Sequence, residues 1–154
     1  MKHAILVLAH KMPEMLTPVL KYFSSDCAIY IHFDASHPLP DNIISLWRDF
    51  QQVRGIYQEY KVNWGSFSVL EAELFLLQQA VNDSDADYYH LISGQDYPIK
   101  TLKSFLSFFT QQPNRDYIEY KVLDTNKPNL DYCEDYISFN LTDSSMRGSL
   151  QGNR

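Results

Sequence analysis

Ala4-Ile5-Leu6-Val7-Leu8 is an unbroken apolar run, with Lys2-His3 before it and His10-Lys11 after it. A strand that keeps one face in water alternates apolar and polar residues. A continuous short run suits a strand covered on both faces, as in a parallel sheet with helices packed on either side. This segment therefore predicts a buried strand of a parallel sheet in an α/β fold.

The rest of the chain keeps the alternation that such a fold needs. Pro13-Glu14 opens a helix, with Pro in the first turn where its missing N–H costs least. Leu16, Val19, Leu20 and Phe23 form its apolar face, and Pro18 falls inside it as a candidate kink. Ala28 to Phe33 reads as a second strand, Ile43 to Phe50 as a short helix and Val53 to Tyr57 as a third, weaker strand. Ser66 to Asn82 is the clearest helix. Phe67, Leu70, Leu74, Leu77 and Val81 recur at intervals of 3, 4, 3 and 4, and this stripe is predicted to pack on the sheet. Tyr88 to Ile92 is the next strand, Thr101 or Leu102 to Phe109 a helix, and Tyr117 to Tyr120 a last strand. Beyond about Lys121 no sustained period remains. The division is residues 1–120 as one α/β region and 121–154 as an irregular tail or the start of a further part.

Composition narrows the function classes. A net charge of −6 supplies no basic surface for many phosphates, so nucleic acid is not an expected partner. It leaves room for a single nucleotide diphosphate, which needs only a few local donors. Cys27 and Cys133 show no metal-site or disulfide-framework spacing and read as buried free thiols. No apolar run approaches the roughly 18 residues of a membrane span. The strand begins directly after Met1-Lys2-His3, so no signal peptide is expected.

In open α/β sheets, ligands bind in the crevice at the carboxyl ends of the strands. The residues there are Ala9-His10-Lys11, Asp34-Ala35-Ser36 and Ser93-Gly94-Gln95-Asp96. All are small, polar or ionisable. Each set alone could be ordinary turn and capping chemistry, and Asp96 before Tyr97-Pro98 could accept backbone N–H groups in a turn. No G-x-G-x-x-G follows the first strand, which removes the dinucleotide fingerprint. Asp83-Ser84-Asp85 and Asp85-Ala86-Asp87 match the D-x-D pattern that holds a divalent metal in many sugar-nucleotide transferases. They precede a strand, at the end of the sheet away from the expected crevice, and read as a solvated acidic turn. The five histidines lack paired metal-ligand spacing, and no metal is expected.

Four segments carry a family resemblance. They are Ile5 to Lys11 with Pro13-Glu14, Tyr30-Ile31-His32-Phe33-Asp34, Val62-Asn63-Trp64-Gly65-Ser66-Phe67-Ser68 with Glu71-Ala72, and the most specific, Leu91-Ile92-Ser93-Gly94-Gln95-Asp96-Tyr97-Pro98-Ile99-Lys100-Thr101. In order and spacing they resemble glycosyltransferase family 14, which contains the core-2/I-branching N-acetylglucosaminyltransferases and the peptide xylosyltransferases. The resemblance implies a GT-A-like, Rossmann-type sandwich with a mostly parallel sheet. It implies inverting transfer of GlcNAc or xylose from a UDP-sugar to a hydroxyl of a glycan or protein acceptor, without a cofactor.

By the same resemblance the donor-binding residues are Leu8, Ala9, His10, Asp34, Trp64, Ser93 and Asp96. Leu8 and Ala9 wall the uracil slot, Trp64 forms its aromatic side, and Asp34 contacts the uridine. Ser93 and Asp96 lie beneath the donor sugar, and Glu119 meets the acceptor sugar. Family catalytic domains are longer than this chain, and their second half supplies the general base and the basic groups for the diphosphate. The chain therefore reads as truncated, with its catalytic residues unassigned. The competing reading is a non-catalytic nucleotide- or sugar-binding fragment or interaction module. The animal members are anchored in the Golgi, whereas this sequence suggests a cytoplasmic location, peripheral to a membrane at most.

Overall fold

The computed structural model describes residues 1–63 and 65–117. Trp64, Glu119, Cys133 and the tail from residue 121 lie outside the described residues, as do residues 118–120 of the last predicted strand. Tyr117 itself is not in a strand.

Chain order is β1 (His3–Ala9), α1 (Pro13–Tyr22), β2 (Cys27–Phe33), α2 (Asp41–Arg48), β3 (Val53–Tyr57), α3 (Phe67–Asp83), β4 (Tyr88–Ser93) and α4 (Leu102–Gln111). The strands form one sheet in the order β3-β2-β1-β4. Every pairing is parallel. This is the α/β architecture the sequence predicts, consistent with a GT-A-like Rossmann-type sandwich. No helix among the described residues is long and apolar enough to cross a membrane.

Two apolar layers hold the sheet. On one face Ile5, Val7, Ile29, Ile31 and Phe33 pack with Leu16, Val19 and Leu20 of α1 and with Ile43 and Trp47 of α2. Trp47 is fully buried, and its indole N–H donates to Thr17 Oγ1 at 3.0 Å, so α2 is tied to α1 by both packing and a satisfied polar tip. Pro18 sits within α1 without ending it. Its ring is exposed, so water can reach the carbonyl that its missing N–H leaves unpaired. Cys27 is a buried free thiol, and burial pushes its pKa up to about 11.

The other face corrects the reading of the long helix. Ser66 caps α3, accepting from the Ser68 N–H. The side chains that α3 buries are Ala72, Leu76 and Ala80, and Leu76 and Ala80 pack with Ala4, Leu6 and Tyr30. Phe67, Leu70, Leu74, Leu77 and Val81 are all exposed. The helix is apolar around most of its circumference, so its 3–4 spacing marks one apolar arc but does not decide which arc meets the sheet. Ala72 and Ala80 let the backbone lie close to β1 and β2 in a way that the larger stripe would prevent.

At the amino-terminal end of the sheet, His3 Nδ1 and His90 Nε2 are 2.9 Å apart, between Tyr88 and the rings of Phe105 and Phe109. Burial, and then the proximity of His3, push the His90 pKa down to about 4. Burial also lowers that of His3, with the N-terminal ammonium adding to the effect and Asp87 opposing it. A base with a depressed folded-state pKa is neutral in the folded protein while its unfolded form takes up a proton. Its contribution is thus complete above about pH 6.5 and is lost as pH falls toward 4. Over that window the thermal midpoint is expected to drop. The His90 share is on the order of 1–3 kcal/mol, allowing for its partial exposure. Calorimetric melts at intervals from pH 7 to 4 check this. A midpoint with the same slope in His90→Leu as in the parent would remove His90 as the cause.

Candidate functional site

The sheet reverses its winding at β1. From there the chain steps outward through β2 to β3 and then crosses back to β4 on the other side of β1. Such a switch point leaves a crevice outside the carboxyl end of the central strands. Register brings the tips together: Leu8 of β1 lies beside His32 of β2 and Ser93 of β4.

Backbone bonds lock these tips. Gly94 N–H donates to the Leu8 carbonyl at 2.6 Å, and Asp34 N–H donates to the Ala9 carbonyl at 2.8 Å. Gly94 is required for this approach, since a Cβ there would stand 2.5 Å from the Ala9 Cβ.

A cavity of about 660 Å³ opens at this point, within the size range of small-molecule sites. Leu8, Ala9, His32, Leu91, Ile92 and Ser93 line it from the sheet. Val69 and Glu73, one helical turn apart on α3, line it from the helix side. His10, Lys11, Val62 and Gln95 come from the loops that follow the strands. The sheet and helix walls are mostly apolar, and the ionisable groups are few. Burial raises the pKa of the Glu73 carboxyl.

The predicted donor residues thus separate into groups. Leu8, Ala9, His10 and Ser93 come together in the cavity wall. Asp34 is not in the wall. It is buried just behind it, with Oδ1 accepting from the Ser36 N–H at 2.9 Å and the Val62 N–H at 3.0 Å. His37 Nδ1 lies 3.2 Å from Oδ2. Burial alone would raise the Asp34 pKa, but the Ser36 and Val62 amides and the His37 contact outweigh it and hold the pKa below the usual carboxylate value. Asp34 therefore ties the loop after β2 to the loop after β3. Asp96 is exposed and accepts the Ser93 N–H at 2.7 Å, the turn-forming bond that its place before Tyr97-Pro98 allows. Trp64 and Glu119 lie outside the described residues.

Reasoning from strand tips missed His32, Val69 and Glu73. His32 lies inside the second strand rather than after it. Val69 and Glu73 belong to a helix whose buried face was taken from the wrong arc. The i, i+4 pair beside Ala72 and Leu76 is the signal that could have found them. The two D-x-D sequences lie at the opposite end of the sheet. Asp87 there accepts the Lys2 backbone N–H at 2.8 Å, Asp85 pairs with the Lys2 ammonium, and Asp83 accepts the Tyr30 hydroxyl at 2.7 Å.

Residues 4–146 match the family described as Core-2/I-Branching enzyme. The chain belongs to that family. No curated protein matches the sequence. Core-2/I-branching enzymes are glycosyltransferases, a class that works on a sugar donor and an acceptor. The match begins at Ala4 in β1 and includes all three strand tips around the cavity.

Proposed function

We propose that this chain binds a UDP-sugar at the β1–β2–β4 crevice for inverting transfer of GlcNAc or xylose to a hydroxyl of a glycan or protein acceptor. The observation that carries this reading is a largely apolar cavity at the switch point of a Core-2/I-Branching family member, with the exposed Lys11 among its lining residues. Apolar walls at Leu8 and Ala9 suit a flat base, with Trp64 as the stacking partner in the same reading. A lysine beside the cavity suits a diphosphate, whose charge grows as the sugar leaves. In this reading Ser93, at the tip of β4, meets the donor sugar, and Asp96 holds its backbone by accepting the Ser93 N–H. Glu119 takes the acceptor sugar. Inversion requires a base that accepts the acceptor hydroxyl proton as its oxygen attacks the anomeric carbon.

Calorimetric titration of the full chain with UDP, with and without EDTA, tests the donor site. Saturable binding that survives chelation is the expected result. Binding abolished by EDTA would replace the metal-free reading with a metal-dependent one, and no binding at all would overturn the donor assignment. Sugar transfer from UDP-GlcNAc or UDP-xylose to an acceptor separates an enzyme from a binding module.

A further inference from the structure

Among the described residues, Glu73 is the one carboxylate in the cavity wall. Its place follows from the helix. Phe75, two residues further along α3, packs on Tyr57 and Tyr60 at ring-centroid distances of 5.1 and 5.8 Å, toward β3. Two residues turn about 200° around a helix, so Glu73 stands on the opposite flank, toward β4. The sheet below that flank is open. α3 lies over β1 and β2. Leu91 and Ser93 of β4 pair in register with Leu6 and Leu8 of β1, and so share the face that α3 covers, yet both are exposed. Glu73 and Ser93 thus border one space, from the helix and from the strand.

Neither side chain is saturated there. The Glu73 carboxyl has no hydrogen bond and no ion pair among the described residues, and it is half-buried rather than closed off. Taking a carboxylate from water without a partner is costly, and burial accordingly raises its pKa. Ser93 Oγ accepts the Gln95 N–H at 3.2 Å but gives its own hydrogen to no described residue. We propose that Glu73 is a specificity residue of the donor site, its carboxylate accepting hydroxyl hydrogens of a sugar bound in the cavity while Ser93 donates to one. The inference rests on the UDP-sugar reading and adds to it a recognition group on α3. A hydroxyl both gives and takes a hydrogen bond, so it matches an acceptor and a donor that border one space. A diphosphate has the wrong charge for Glu73 and finds its partner in Lys11. Uracil offers a single N–H. The ribose and the transferred sugar each offer neighbouring hydroxyls, which suit the two oxygens of a carboxylate.

Glu73→Gln keeps the shape and removes the charge. Wild type is titrated first with UDP, UDP-GlcNAc and UDP-xylose, and failure to bind any of them overturns the UDP-sugar reading itself. With wild-type binding in hand, Glu73→Gln is expected to melt no lower than wild type and to bind roughly tenfold more weakly, the loss of a charged hydrogen bond. The ligand that weakens names the sugar. A loss confined to the nucleotide sugars puts the contact on the transferred sugar. A loss shared by UDP and absent for 2′,3′-dideoxy-UDP puts it on the ribose. The ionised carboxylate is the binding form, so wild-type affinity is expected to fall on acidification through the raised Glu73 pKa, and Glu73→Gln to lack that fall. A glutamate with no ligand contact gives the opposite sign, because removing a negative charge leaves diphosphate affinity unchanged or tightens it. That result, or an equal loss for every ligand with 2′,3′-dideoxy-UDP included, would overturn the inference and leave the donor site standing.

Discussion

Leu76→Ala is expected to cost about 2–5 kcal/mol of stability, while Leu74→Ala costs under about 1 kcal/mol. The two leucines are two residues apart on one helix and lose the same atoms. They differ in what surrounds them. Leu76 is fully buried against Ala4, Leu6 and Tyr30, whereas Leu74 is 53% exposed. Removing Leu76 opens a cavity between α3 and a sheet that cannot collapse onto it, because Ala72 and Ala80 already hold the helix close. Removing Leu74 returns a partly wet surface to water. Urea unfolding of both variants measures the difference. Equal costs would mean that the Phe67–Val81 stripe is covered in solution.

Asp34→Ala is the second large effect. The buried carboxylate accepts backbone N–H groups from Ser36, which is exposed, and Val62, which is half-buried. Water can reach the Ser36 amide once the carboxylate is gone, so the loss expected is that of about one part-buried charged hydrogen bond pair, roughly 1–3 kcal/mol. UDP affinity should fall with it, because the Val62 loop lines the cavity and leads to Trp64. Asp83→Ala is the matched control. Asp83 is also an aspartate beside the sheet, but it is exposed, bonds the Tyr30 hydroxyl and lies at the far end. Its removal is expected to leave UDP affinity unchanged and to cost about 1 kcal/mol of stability at most. The depressed pKa of Asp34 adds a pH test. Its stabilising share is present above the unfolded carboxylate pKa and is lost as pH falls through the still lower folded value. Wild type should therefore lose part of its advantage over Asp34→Ala only under acid conditions. A selective loss of UDP binding in Asp83→Ala would move the site to the other end of the sheet and bring a D-x-D metal mechanism back.

The α/β class, the order of elements from β1 to α4 and the end of the sheet where the crevice opens were legible in the sequence. Strand and helix periods are local properties, and the Ala4–Leu8 run admits few environments other than a doubly covered parallel strand. The residues at strand ends then follow from chain order, and Ala9, His10 and Ser93 from those ends, with Leu8 from the family resemblance, line the cavity found there. Helix orientation was not legible. α3 has apolar residues on more than one arc, and only close packing on β1 and β2 chooses Ala72, Leu76 and Ala80 over the larger stripe. That choice also turns Val69 and Glu73 toward the cavity. The work of Asp34 was equally hidden. Its partners are the amides of Ser36, two residues away, and Val62, 28 residues away, and no sequence period reports which distant N–H a carboxylate meets. His32 shows the same division: its strand is written in the local sequence, but the partner of its Nε2 is the Tyr60 amide, arriving from another loop. Local propensity determined what forms and in what order. Which faces meet, and which polar atoms remain to be used, were decided by contacts between segments far apart in the chain.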